Sequence, residues 1–138
     1  MQIDHKKISY ITNFEVHTLI QKKLESRKKI RGQQTLLYTT QKYMKEKSPA
    51  HLQDADQISR FSLQMKPYNM SKHELLMLLN NCPSTQVELS VMISELDTRY
   101  TASQIEQILS ITREIMPASV DFTSKLNSSG VNEDNSAE

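Results

Sequence analysis

Ser71-Lys72-His73-Glu74-Leu75-Leu76-Met77-Leu78-Leu79-Asn80-Asn81-Cys82-Pro83-Ser84-Thr85-Gln86-Val87-Glu88 is the stretch that decides the fold class. It opens with a capping box: Ser71 can accept the amide hydrogen three residues on, while the Glu74 side chain reaches back to the first amide. Leu75 to Leu79 is apolar on every side of a helix, the pattern of a buried one. Asn80-Asn81-Cys82-Pro83 stops it, since a proline forces the preceding residue out of helical geometry. Thr85-Gln86-Val87-Glu88 starts another helix with a second box. Such close punctuation belongs to short helices joined by sharp turns.

The same grammar extends outward. Toward the C-terminus, Leu89, Met92, Ile93 and Leu96 share one face, and Thr101-Ala102-Ser103-Gln104 is a further box, with Ile105, Ile108, Leu109 and Ile115 inward. Toward the N-terminus, Ile58, Phe61 and Met65 recur at i, i+3, i+7 in a helix over 54–66 that Pro67 closes. A helix over 34–46 places Leu36, Leu37, Thr40 and Met44 on one side, and Ser48-Pro49 ends it. Thr12-Asn13-Phe14-Glu15 is the first box, followed by the stripe Val16, Leu19, Ile20, Leu24. Before it, Lys7-Ile8-Ser9-Tyr10-Ile11 alternates polar and apolar residues, as an extended arm does when it pairs with another chain. The polar residues 25–33 read as a flexible connection, and 117–138 lose periodicity and end acidic, as a disordered tail does. The expectation is an all-α fold: arm, helix and linker over 1–33, a helical bundle over 34–116, a disordered acidic tail over 117–138.

Composition narrows the function. The 138 residues fit one domain, and only 2 are glycine, which excludes phosphate loops of the GxGxxG and GxxxxGK[ST] kinds and turn-rich β folds. A single cysteine, no signal peptide and no apolar run near the ~20 residues of a membrane span point to a reducing, aqueous compartment with no membrane partner. The net charge of +1 hides a polarity: residues 1–73 hold 14 Lys and Arg against 6 Asp and Glu, whereas 74–138 hold 3 against 10. Polarised charge suits an interaction surface, nucleic acid included.

Catalytic chemistry finds no foothold. His73-Glu74 begins an HExxH pattern, but residue 77 is Met, so the second zinc ligand is missing, and no metal or cofactor is expected. His51 lies near Asp54 and Asp56, whose better use is at a helix start, where acid complements the dipole. Cys82 follows a buried helix without a cationic neighbour in sequence, and reads as a small hydrophobe. Phosphate contact needs clustered cations, and single-strand binding adds exposed aromatics; Lys42, Tyr43, Lys45 and Lys47 are the candidates.

Three segments in order resemble one family. Ile11-Thr12-Asn13-Phe14-Glu15-Val16, the segment from Ser71 to Pro83, and the run from Val87 through Glu95-Leu96-Asp97-Thr98-Arg99-Tyr100-Thr101 to Glu106 are similar to the small stalk subunit of eukaryotic RNA polymerase III. That family is also called calcitonin gene-related peptide receptor component protein. It is more distantly related to the fourth-subunit family of RNA polymerase II and to the corresponding small stalk protein of the archaeal polymerase. The resemblance covers about 8–116, and the choice of polymerase III rests on the first two segments. Asn81-Cys82 departs from the basic pair more usual there, which removes a basic contact at that point.

The resemblance implies an HRDC-like bundle and a non-catalytic, nuclear subunit, with cytoplasm as a second location. It would form a heterodimer with the larger OB-fold stalk subunit, protrude from the polymerase III core, and contact initiation factors at tRNA, 5S and other small RNA genes, with weak RNA contact. Ile8, Tyr10, Ile11, Phe14, Val16 and Leu19 are the expected partner-binding residues, since their side chains have no evident home in the chain. Two alternatives stand beside it: a freestanding single-stranded nucleic-acid-binding bundle, and a cytosolic coupling component for a peptide receptor.

Overall fold

The computed structural model describes residues 9–26 and 30–128, and what it describes is helical throughout, with no strand. The elements run α1 (Asn13–Glu25), α2 (Arg31–Lys47), a 3-10 turn (Pro49–Leu52), α3 (Ala55–Met65), a second 3-10 turn (Lys66–Tyr68), α4 (Lys72–Asn81), α5 (Gln86–Met92), α6 (Leu96–Arg99), α7 (Ala102–Ile115) and α8 (Pro117–Ser128). The all-α expectation is met.

Local chemistry explains most boundaries. Thr12, Ser71 and Thr101 each close a complete capping box with Glu15, Glu74 and Gln104. Thr85 accepts the Glu88 amide, but the reciprocal half fails: the Glu88 carboxylate takes the amide of Ser84 instead, at 2.7 Å. A box that the sequence reading passed over, Asp54 with Gln57, starts α3. α4 ends on Cys82 in the left-handed conformation (φ 44°), ahead of Pro83. The single helix expected across Leu89 to Leu96 is two, because the chain turns extended at Ile93 and left-handed at Glu95 (φ 54°) before α6. All four apolar residues of that face still point inward, Met92 being half-buried.

The main core gathers Phe61 and Met65 of α3, Leu78 and Leu79 of α4, Leu89 of α5, Ile105 and Ile108 of α7, and Met116 and Val120. α3 packs on α7, α4 on α5, and α7 on α8. Gln53 ties its parts together from below: its side-chain amide donates to the Leu79 carbonyl at 2.7 Å and to Cys82 Sγ at 3.3 Å. Ile20, Leu37, Met44 and Ala50 are also buried, but outside that cluster, where α1 and α2 pack on each other and on the first 3-10 turn. His17 sits in this smaller group, 6% exposed. Burial lowers its pKa and the like charges of His51 and Lys45 add to the effect, so the ring is neutral at pH 7.

Several expectations need correcting. The linker placed at 25–33 is shorter: α1 runs to Glu25 and α2 begins at Arg31, so the 33/34 boundary falls inside a helix. Gly32 disguised that start. A Cβ there would meet nothing within 4 Å, so Gly32→Ala is expected to stabilise the fold by about 0.5–1 kcal/mol, read as a higher Tm. Of the segment called a disordered tail, Pro117–Ser128 is α8: Pro117 suits a first helical position, and Ser119 and Val120 are buried. Residues 129–138 lie outside the described residues, as do Ile8 and residues 27–29. Leu36 is 66% exposed, not inward, because only Leu37 and Met44 of α2 lie on the buried line. Leu75, Leu76 and Met77 are half-buried, which leaves one side of α4 open.

Candidate partner interface

Uncovered apolar side chains occur along much of the chain, Val87 and Val91 of α5 being the most exposed, and three of them lie in the segment expected to bind a partner. Tyr10 is 74% exposed, and Ile11 and Leu19 are exposed too. Thr12 fixes where the arm meets α1: its amide donates to Glu15 Oε2 at 2.6 Å, and Glu15 returns its amide to Thr12 Oγ1 at 3.2 Å. α1 is then held on the bundle by the Asn13 amide, which donates to Asn80 Oδ1 on α4 at 2.9 Å. Tyr10 and Thr12 thereby line an apolar groove with Leu75, Leu76 and Leu79 of α4, and Lys72 sits at its rim. Phe14 and Val16 are half-buried on α1, whose inward residues are His17 and Ile20.

The six residues picked from the sequence therefore divide. Tyr10, Ile11 and Leu19 present free apolar surface, Phe14 and Val16 share theirs with the chain, and Ile8 lies outside the described residues. The groove wall on α4 escaped the sequence reading, because an all-round apolar run suggests complete burial.

Lys42, Tyr43, Lys45 and Lys47 are all exposed on α2, yet do not make one patch. Helical spacing puts Lys42 and Lys45 on a face with Tyr38, and Tyr43 and Lys47 on the neighbouring face with Leu36. The second pair borders a cleft of about 160 Å³ between the ends of α2, α4 and α8, the start of α1, and α5.

The polar groups weighed for chemistry are committed to structure. His51 Nδ1 lies 2.8 Å from the Ser48 carbonyl, and its ring stands edge-on to Phe122 at 5.0 Å. Asp54 caps α3. Burial pushes the Cys82 thiol up to about 12, which keeps it protonated and unreactive. Among the described residues, no group of three or more His, Cys, Asp or Glu is placed to hold a metal, and no helix is long and apolar enough to cross a membrane.

One ion pair was not anticipated. Arg99, in the third resembling segment, forks onto both oxygens of Glu74, Nη2 reaching Oε2 at 3.1 Å. Tyr100 donates its hydroxyl to the Tyr68 carbonyl at 2.6 Å beside them. The Arg99 hydrogen bond is the chief cause that holds the Glu74 carboxyl below its usual range, with Ser71 adding to it against the opposing effect of burial. A depressed carboxylate contributes stability that is complete above 4.5 and drains as pH falls through the folded value. Glu74→Gln is accordingly expected to lower the urea midpoint at neutral pH, with the gap to wild type narrowing as pH falls below 4.5 and Glu74 itself protonates. A gap that stayed constant would mean the pair adds nothing pH-dependent.

The family profile described as RNA polymerase Rpb4 matches residues 10–116, from the exposed Tyr10 to the buried Met116. That span takes in the last two residues of the arm, the groove, most of the cleft and the whole main core except its last turn. The chain belongs to the RNA polymerase Rpb4 family, whose members are non-catalytic subunits of DNA-directed RNA polymerase.

Proposed function

We propose that this chain is the small stalk subunit of nuclear RNA polymerase III, bound to the larger OB-fold stalk subunit and acting in initiation at tRNA, 5S and other small RNA genes. The family match over 10–116 carries the reading. The segment from residue 8 to residue 24 is the latch, with Tyr10, Ile11 and Leu19 as its free anchors and Phe14 and Val16 setting their angle. Its support is that Tyr10, Ile11 and Leu19 lie uncovered there, Tyr10 lining an α4 groove that is still open. An extended arm leaves backbone donors and acceptors that need partners once buried, and a second chain supplies them. The rest of the bundle is then free to meet initiation factors.

The experiment is an affinity pull-down of the tagged chain from its own cells, with mass spectrometry of what comes with it. Recovery of the larger stalk subunit and the polymerase III core supports the reading. Recovery of polymerase II subunits keeps the family and moves the address. Absence of any polymerase overturns the functional reading.

A further inference from the structure

The cleft at the end of α2 holds an unusual concentration of side-chain amides. Asn13, Asn80, Asn81 and Asn127 reach it from α1, α4 and α8, together with Tyr43 and Lys47 of α2. Three of the amides are already fixed at one end. Asn80 Oδ1 accepts the Asn13 backbone N–H, Asn81 Nδ2 donates to the Met77 carbonyl, and Asn127 Nδ2 donates to Glu88 Oε1, each at 2.9 Å. Their other ends, Nδ2 of Asn80 and Oδ1 of Asn81 and Asn127, have no hydrogen-bond partner among the described residues, nor do the Tyr43 hydroxyl and the Lys47 ammonium. The result is a set of donors and acceptors held in place without being used.

Glu88 is the one carboxylate on the wall, and it is occupied. Its Oε2 takes the Ser84 amide and hydroxyl, and its Oε1 takes Asn127. Beside the amides stands a tyrosine ring 58% exposed, then a lysine one helical turn on, with Lys42 and Lys45 on the same helix. Unpaired bases are bound by this combination: an aromatic face for stacking, amides for the polar edge, and a cation for the adjoining phosphate. A volume of about 160 Å³ admits one planar ring system.

We propose that this cleft seats a single unpaired nucleobase of a nucleic-acid strand, with Tyr43 stacking on it, the asparagines reading its edge and Lys47 taking the next phosphate. Such binding is a property of this chain alone and does not rest on the stalk assignment.

Fluorescence anisotropy tests it, with the full chain titrated into short labelled single strands of RNA, of DNA, and of abasic DNA. RNA or DNA is expected to bind with an affinity that falls as salt rises. Tyr43→Ala is expected to weaken binding at least about fivefold. Tyr38→Ala, an exposed tyrosine on another face of α2, leaves it unchanged. Lys47→Gln lowers the salt slope by about one. A preference for RNA would report contact with the 2′-hydroxyl, and equal affinity for RNA and DNA would report base and phosphate alone; both support the site. No binding of either strand at about 50 mM salt, equal affinity for the abasic strand, or equal losses from the two tyrosine variants would each overturn it.

Discussion

Phe61→Ala is expected to destabilise the isolated chain by about 3–5 kcal/mol, the usual loss on truncating a fully buried phenylalanine. The ring is 0% exposed and stands where α3 packs on α7, the contact that joins the middle of the chain to its C-terminal helices. The core cluster it belongs to is mostly aliphatic and sulfur-bearing, with Tyr100 also in it, and α3 is locked at its start by the Asp54–Gln57 box, so the space cannot simply collapse. Urea denaturation followed by circular dichroism measures the effect. A loss below about 1 kcal/mol would mean that α3 is able to shift toward α7 and fill the void. Phe61→Leu, which keeps most of the volume, is expected to cost much less.

Changing Tyr10 and Phe14 to Ala together is expected to weaken the heterodimer by more than ~2 kcal/mol, a loss typical of buried aromatic anchors and about thirtyfold in Kd. Tyr10 is the cleaner half of the pair, being exposed in the lone chain and thus available to a partner with little disturbance of the fold. Phe14 is half-buried, so its truncation also loosens α1 and requires a helicity check on the free variant. Isothermal titration against the larger stalk subunit gives the number. Unchanged affinity removes the latch from these residues and leaves family membership standing.

What the sequence made legible was punctuation. Thr12, Ser71 and Thr101 announce helices because a cap is a local exchange between side chain and amide, complete within four residues. The core residues Phe61, Met65, Leu89 and Ile108 were visible for a related reason, since periodicity marks the buried line. What remained hidden depends on distance along the chain. Arg99 and Glu74 are 25 positions apart, and only the packing of α6 beside the start of α4 brings fork to carboxylate. The asparagine cleft needs α1, α4 and α8 at once, and α8 itself was masked by weak amphipathicity and a proline that suited a helix start as well as a stop. Lys42 to Lys47 looked like one patch because residues adjacent in sequence are about 100° apart around a helix, which a list of charges does not show.

The smaller buried group formed by Ile20, Leu37, Met44 and Ala50 has a consequence for lifetime rather than shape. Separate clusters open separately, so amide exchange should divide this chain into a slow unit centred on Ile108 and Leu78, and a faster one comprising α1 and α2. A partner seated on α1 would draw the fast unit shut by mass action while leaving the slow one nearly untouched. The free chain would then be the form that proteases reach first. In the cell, such a subunit would then persist in proportion to the supply of the chain it docks on, and stoichiometry would follow from the frailty of whatever is left over.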